Sequence, residues 1–142
     1  MISTRGRYAL RVMIELSESK EDSLIPMKMI AARQGISLKY LERILPPLTK
    51  AGLIEGIHGA GGGYRLAKAP SSITVGDILR LTEVDMAPVA CLAEGAAPCE
   101  RRQICRTIAM WEGYQKVTND YFDNITLADL TTDSPILLKG SE

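Results

Sequence analysis

The chain has 142 residues, equal numbers of basic and acidic side chains (17 of each), three cysteines and one histidine. Its length allows one domain with a real core, or a small domain with an oligomerising appendage, but not two full domains. Arg5, Arg7 and Arg11 break the apolar N-terminus where a signal peptide would sit, and no apolar run approaches the roughly 18 residues of a membrane span, so a cytoplasmic chain with no membrane partner is expected.

From the N-terminus, STRGRYALRVMIELSES sets Leu10, Met13, Ile14 and Leu16 at helical spacing behind a capping Ser3, which predicts a first helix. Pro26 precedes MKMIAARQG, where Met27, Ile30 and Ala31 share a face and Gly35 stops the run, a short second helix. Ser37 caps a third over LKYLERILPPLTKAG, with Leu38, Leu41, Ile44, Leu45 and Leu48 apolar. Two short helices joined by about three residues that include a glycine outline a helix-turn-helix. Pro46 and Pro47 each remove a backbone donor, at roughly 3 kcal/mol per interior proline, so a kink or a break is expected there.

LIEGIHGAGGGYRLA then supplies two strand-like arms, Leu53 to Ile57 and Tyr64 to Leu66, around a glycine-rich tip that reads as a hairpin. A phosphate-cradling loop is set aside, because those patterns open directly into a helix and here a strand follows. Thr74 caps a helix of about 75–84 with Asp77 in its first turn. The stretch through Pro88, Gly95 and Pro98 reads as an irregular loop. From Ile104 onward Ile108, Trp111, Tyr114, Val117, Tyr121 and Ile125 recur at spacings of three and four, a long amphipathic helix of roughly twenty residues. So long a stripe is awkward for a small domain to cover alone, and a twofold interface between two copies is the economical reading, with packing inside one chain as its rival. Thr126 caps a last short turn, and the remainder reads as disordered tail. The fold class is mainly α with a small β-hairpin: a winged helix-turn-helix domain over 1–84, a cysteine loop over 85–105, a dimerisation helix and short turn over 106–130, and a tail over 131–142.

Charge is unevenly divided. Residues 1–80 carry 12 Lys and Arg against 7 Asp and Glu, a balance of +5, and the remainder carries the opposite balance. A basic half suits a polyanion such as nucleic acid, although an ordinary solvated surface has the same look. With double-stranded DNA as partner, Ser37, Lys39, Tyr40 and Arg43 are the members of the third helix able to meet phosphates or base edges in a major groove. Glu42 is repelled by phosphate unless it accepts a bond from a cytosine amino group; otherwise it faces solvent or pairs with Lys39 or Arg43. His58 and Arg65 flank the glycines of the hairpin and can reach a minor groove or the backbone. Gly61, Gly62 and Gly63 leave little room for substitution wherever positive φ or close approach to DNA is required.

CLAEGAAPCERRQIC gathers Cys91, Cys99 and Cys105 within fifteen residues. An odd count in a reducing compartment argues against a disulfide framework and toward metal ligation or reactive thiols. The C-x7-C-x5-C spacing is looser than compact zinc and ferredoxin patterns, so spacing alone names no metal. Arg101, Arg102 and Arg106 lie nearby, either as solvated surface or as counter-charge to thiolates. A thiol enzyme is disfavoured, since His58 sits far along the chain with no evident partner for a nucleophilic cysteine.

STRGRYALRVMIEL, ISLKYLERILPPLTKAGLI, HGAGGGYRLAK and ITVGDI resemble, in the same order over about residues 1–130, the iron-sulfur cluster regulator family, the Rrf-two type of bacterial winged-helix repressors. That resemblance implies a homodimeric transcription factor that reads an operator with its third helix and inserted wing, where His58 stands at a position that is often arginine. It further implies a two-iron or four-iron iron-sulfur cluster on Cys91, Cys99 and Cys105. The chain departs from the pattern at the fourth ligand: Ile108 stands where one branch has histidine and Arg7 where another has aspartate, so that ligand is unknown. Some relatives lack a cluster and respond through a protein partner or thiol oxidation.

Overall fold

The computed structural model describes residues 1–131, and the expected tail beyond Thr131 lies outside them. Helix α1 spans Thr4–Glu18, α2 Met27–Gln34 and α3 Leu38–Lys50; strands β1 (Ile54–Ile57) and β2 (Gly63–Leu66) follow, then α4 (Val75–Thr82), α5 (Ile108–Asp123) and α6 (Leu127–Leu130). The architecture is the expected mainly helical one with a single two-stranded antiparallel hairpin.

Ser3 starts α1 by accepting the Gly6 amide at 3.1 Å. The buried face of α1 is Gly6, Ala9, Val12, Met13 and Leu16, while Leu10 and Ile14 are only half-buried at its margin. The stripe is thus centred a little off the apolar positions picked out by spacing, with small Ala9 on its midline. Gly35, at φ 62°, ends α2, and Ile36 turns back to donate to the Ala31 carbonyl at 3.1 Å. Ser37 then opens α3 by accepting the Tyr40 amide at 3.1 Å.

Helix α3 differs from expectation in running unbroken through Pro46 and Pro47. The carbonyls that lose their donors belong to Glu42 and Arg43, both exposed, so water can satisfy them. Leu41, Ile44, Leu45 and Leu48 are all buried on one face. Burial at about 1.5–3 kcal/mol per side chain offsets two prolines at about 3 kcal/mol each and keeps both halves on the core. Leu38, read from the sequence as part of that apolar face, is instead 41% exposed.

In the hairpin Ile54 pairs with Leu66, Glu55 with Arg65, Gly56 with Tyr64 and Ile57 with Gly63. Ile25 flanks β2 on its other side as an isolated bridge, exchanging two 2.9 Å hydrogen bonds with Tyr64. Thr74 and Thr126 face each other across an isolated bridge, and each caps the helix that follows through a reciprocal box with Asp77 or Asp129. This bridge carries α6 back to the body, where Leu127 is fully buried in the main core. Helix α5 is shorter than expected, sixteen residues, and none of them is buried. Ile104 lies ahead of it in the loop and is 67% exposed.

Gly63 faces the tightest constraint on the wing. A Cβ there would come within 2.5 Å of the Ile25 backbone carbon and oxygen, which cannot swing aside as a side-chain tip would. Gly63→Ala is therefore expected to cost about 1–3 kcal/mol and to speed hydrogen exchange at Ile25. Gly61, at φ 75° with nothing within 4 Å, should on alanine substitution show backbone strain alone, about 1–2 kcal/mol, and leave Ile25 protected. Urea titration with residue-resolved exchange separates the two.

Candidate nucleic-acid interface and cysteine loop

Ser37, Lys39, Glu42 and Arg43 are exposed on the face of α3 opposite its buried leucines, and Tyr40 is half-buried beside them. Among the described residues Lys39, Glu42 and Arg43 join none of the ion pairs, so the rival reading of Glu42 as a partner of Lys39 or Arg43 does not hold in this structure. The Ser37 hydroxyl spends a lone pair on the helix cap and keeps its hydrogen to donate outward.

His58 is exposed at the end of β1, followed by exposed Gly59, Ala60 and Gly61. Gly62 folds inward, since a Cβ there would stand 2.1 Å from the Ile57 carbonyl oxygen. Arg65 is not a free cation: its Nε donates to Glu55 at 3.0 Å across the hairpin. Any contact between Arg65 and a phosphate would have to compete with that carboxylate.

The three thiols are free, Cys91 and Cys99 exposed and Cys105 half-exposed. Cys91 rides on a short turn over Ala90–Leu92, Cys99 lies in irregular backbone, and Cys105 stands just ahead of α5. The loop is tied down by Gln115 donating to the Leu92 carbonyl at 3.5 Å and by an Arg102–Glu112 ion pair at 2.5 Å. The Cys105 thiol is held below its ordinary pKa, first by the Thr107 hydroxyl 3.5 Å away, then by the backbone amides of Thr107 and Ile108 and by the charge of Arg101. A helix N-terminus with a cation nearby is the setting in which thiolate is favoured.

The comparisons bear on both regions. A family profile described as Rrf2, iron-dependent transcriptional regulator, matches residues 2–133. The chain belongs to the Rrf2 family. It is 34% identical over 136 residues to the transcriptional regulator IscR of Vibrio parahaemolyticus, covering 96% of this chain and 80% of that one. Among solved structures, CymR, the global cysteine regulator of B. subtilis, matches with 37% identity and a TM-score of 0.75 over 95% of this chain and 98% of that one. The T. potens IscR structure matches with 36% identity and a TM-score of 0.75, over 95% of this chain and 88% of the other. As an Rrf2-family member the chain is a DNA-binding transcriptional regulator and not an enzyme.

Three thiolates are a suitable donor set for an iron-sulfur group, and the favoured thiolate at Cys105 fits that chemistry. Their positions are less ready: among the described residues no three of His, Cys, Asp and Glu converge on a point where a metal could sit. Ligation by all three would need the loop to close. No helix among the described residues is long and apolar enough to cross a membrane.

Two joints in this Rrf2-family chain were not foreseen. The Glu83 carboxylate, just past α4, accepts from the Ser3 hydroxyl at 2.7 Å and the Ser3 amide at 3.1 Å, filling a notch that a Cβ on Gly6 would block. Arg80 grips Asp123 of α5 with two hydrogen bonds, 2.6 and 2.9 Å, over Gly76, where a Cβ would stand 2.0 Å from the Asp123 carboxylate. A glycine inside a helix costs about 1 kcal/mol relative to alanine, and that cost was the one available signal that Gly6 and Gly76 had packing duties.

The lowered Cys105 pKa has a direct consequence. More thiolate is present at neutral pH than for an ordinary cysteine, so alkylation by iodoacetamide should reach half-maximal rate at a pH below the usual thiol value. Thr107→Val removes the largest cause and should move that midpoint upward, as read by peptide mass mapping across a pH series.

Proposed function

We propose that the chain acts as a homodimer on a double-stranded operator, reading it with α3 and the wing, and that Cys91, Cys99 and Cys105 sense iron-sulfur, iron, redox or nitric oxide status. The observation that carries the DNA reading is the unengaged polar face of α3, where Lys39, Glu42 and Arg43 keep their charges free while Arg33, Arg65, Arg80 and Arg102 are each held by a carboxylate. In this reading Lys39 and Arg43 meet phosphates, Ser37 and Tyr40 meet phosphates or base edges, and Glu42 selects for a cytosine amino group. His58 enters the adjoining groove, and Gly61 and Gly62 let the wing backbone approach. Arg65 steadies the hairpin and reaches DNA only on leaving Glu55.

Dimerisation is supported by α5. Met110, Tyr114, Val117 and Tyr121 are 56%, 57%, 70% and 38% exposed, an apolar seam at spacings of four, three and four that no other described residue covers. Such a seam suits a partner helix. Tyr114→Glu with Val117→Glu should convert dimer to monomer in sedimentation while leaving the body folded, since neither side chain belongs to its core.

An iron-sulfur group, when bound, supplies a chemistry that oxygen, nitric oxide or iron shortage can alter. The chain's own part is to present three thiolates and to tie the loop to α4 at one end and α5 at the other. Visible absorption, iron and sulfide analysis of anaerobic protein test occupancy. Operator titrations of the reconstituted chain, the metal-free chain and a Cys91, Cys99, Cys105 triple-alanine variant at one salt concentration test the coupling. A difference of about five- to 150-fold is expected, corresponding to about 1–3 kcal/mol of coupling. Equal affinities with occupancy verified would remove the sensing role and leave the DNA-binding reading standing.

The exposed, unassembled thiols also support a second reading, a cluster-free regulator controlled by thiol oxidation or by a protein partner. Mild peroxide followed by mass mapping distinguishes them, because a disulfide between two loop cysteines belongs to this reading alone.

A further inference from the structure

Arg11 looks in the sequence like one more surface cation of the basic half. The structure gives it other work. Its Nε donates to the Gln34 side-chain oxygen at 3.2 Å, and its Nη2 donates to the Gln34 backbone carbonyl. That carbonyl is among the last of α2 and has no donor within its own helix, so a cation there both caps it and meets the negative helix end. Gln34 is gripped from its other side as well, donating to Glu15 at 2.7 Å, and Glu15 also holds Arg33 at 2.8 Å. Arg11 therefore anchors the end of α2 at the point where the turn into α3 begins.

The same guanidinium lies 5.1 Å from the centre of the Tyr8 ring, and Tyr8 meets Tyr40 edge-on, with ring centres 5.3 Å apart and planes at 66°. Tyr40 is in the first turn of α3, three residues after its Ser37 cap, and both tyrosines are half-buried against the main core. One continuous line of contacts thus runs from the last carbonyl of α2 through Arg11 and Tyr8 to the start of the helix that carries Lys39, Glu42 and Arg43.

We propose that Arg11 and Tyr8 are positioning residues of the DNA interface, bracing the turn between α2 and α3 and fixing the direction in which Tyr40 and the first turn of α3 are presented. This rests on the reading of α3 as the recognition helix. Arg11 does this through geometry that lysine lacks: a planar fork that donates in two directions while its face lies on a ring. Tyr8 acts through its ring and not its hydroxyl. Both act on specificity, because a bracing contact changes how well base edges are met, whereas a phosphate contact strengthens binding to any duplex.

The test selects the preferred operator of the wild-type chain from randomised duplexes. It then measures affinity for that operator and for a scrambled duplex over a range of salt, for wild type, Arg11→Lys, Tyr8→Leu and Tyr8→Phe. Arg11→Lys and Tyr8→Leu are expected to lose about five- to tenfold on the selected operator, with little change on scrambled DNA and an unchanged salt slope. Tyr8→Phe, which keeps the ring, restores wild-type discrimination. Arg11→Lys lies on the surface and keeps its charge, so it reports even if loss of the Tyr8 ring disturbs folding. The proposal is overturned if Arg11→Lys retains full operator affinity. It is equally overturned if affinity falls on both duplexes with a salt slope smaller by about one, the mark of a lost phosphate contact. If the wild-type chain enriches no operator and binds all duplexes alike, the recognition reading itself fails and takes the proposal with it.

Discussion

The buried face of α1 is the surface on which the body closes. Helices α2, α3, α4 and α6 and strand β2 all touch it, although they come from chain positions more than a hundred residues apart. Ala9, Val12, Met13 and Leu16 are essentially without solvent contact, so each neighbour settles at a distance set by close packing and not by its connecting loop. A change in the volume of that face would be felt at once by the turn, the wing and α6. The polar margin of α1 refines what the apolar face establishes: Ser3 meets Glu83 at one end and Glu15 meets Arg33 and Gln34 further along.

Helix α4 converts this packing into a connection between α1 and α3 on one side and α5 on the other. At its end Glu83 holds the cap of α1, and one turn earlier Arg80 holds Asp123. Both joints use a glycine on the helix opposite the carboxylate, which leaves room for a charged group to lie directly on backbone. Asp123 in turn keeps the Arg80 guanidinium firmly charged, raising its pKa through the hydrogen bond and through proximity. Each is a partly exposed contact whose stabilising effect is modest, about 1 kcal/mol or less. Their value is directional, since two short polar joints on one rigid helix restrict how α5 can rotate against α1 without adding much to overall stability.

The helix order, the glycine-ended turn and the hairpin were legible because each depends on local chemistry: Ser3, Ser37, Thr74 and Thr126 cap the helices they precede, and Gly35 adopts the left-handed conformation that stops α2. What could not be read locally depended on partners distant in sequence. Leu41, Ile44, Leu45 and Leu48 flank Pro46 and Pro47, but the core that buries them is built from the rest of the chain, and nothing near Arg65 says that Glu55, ten residues earlier, will hold it. The polar residues of α3 were legible as an exposed set, but Leu38 was misplaced, because a residue at the first helical position can lie outside the stripe that its neighbours define. Helix α5 was overextended for a related reason: the apolar spacing continues past both ends, while Thr107 and Asn124 mark where the backbone leaves the helix.

The cysteine loop joins the two ends of this mechanical unit. It leaves α4 immediately after Glu83, which is bound to the cap of α1, and enters α5 at Thr107, beside Cys105. In the sensing reading, drawing Cys91, Cys99 and Cys105 together would reorder the loop between those two points. The Arg80–Asp123 joint and the Glu83–Ser3 contact are what connect that loop to α5 and to the start of α1. Ring contact between Tyr8 and Tyr40 ties that same helix to the first turn of α3. A dimer reads two half-sites at a separation fixed by its own geometry, so a small rotation at α5 is enough to alter the match, and the signal need never touch the DNA. In the proposed dimer, the direction of the effect would depend on which loop state leaves the two copies of α3 at the spacing of the operator, a property of the pair and not of the cysteines themselves.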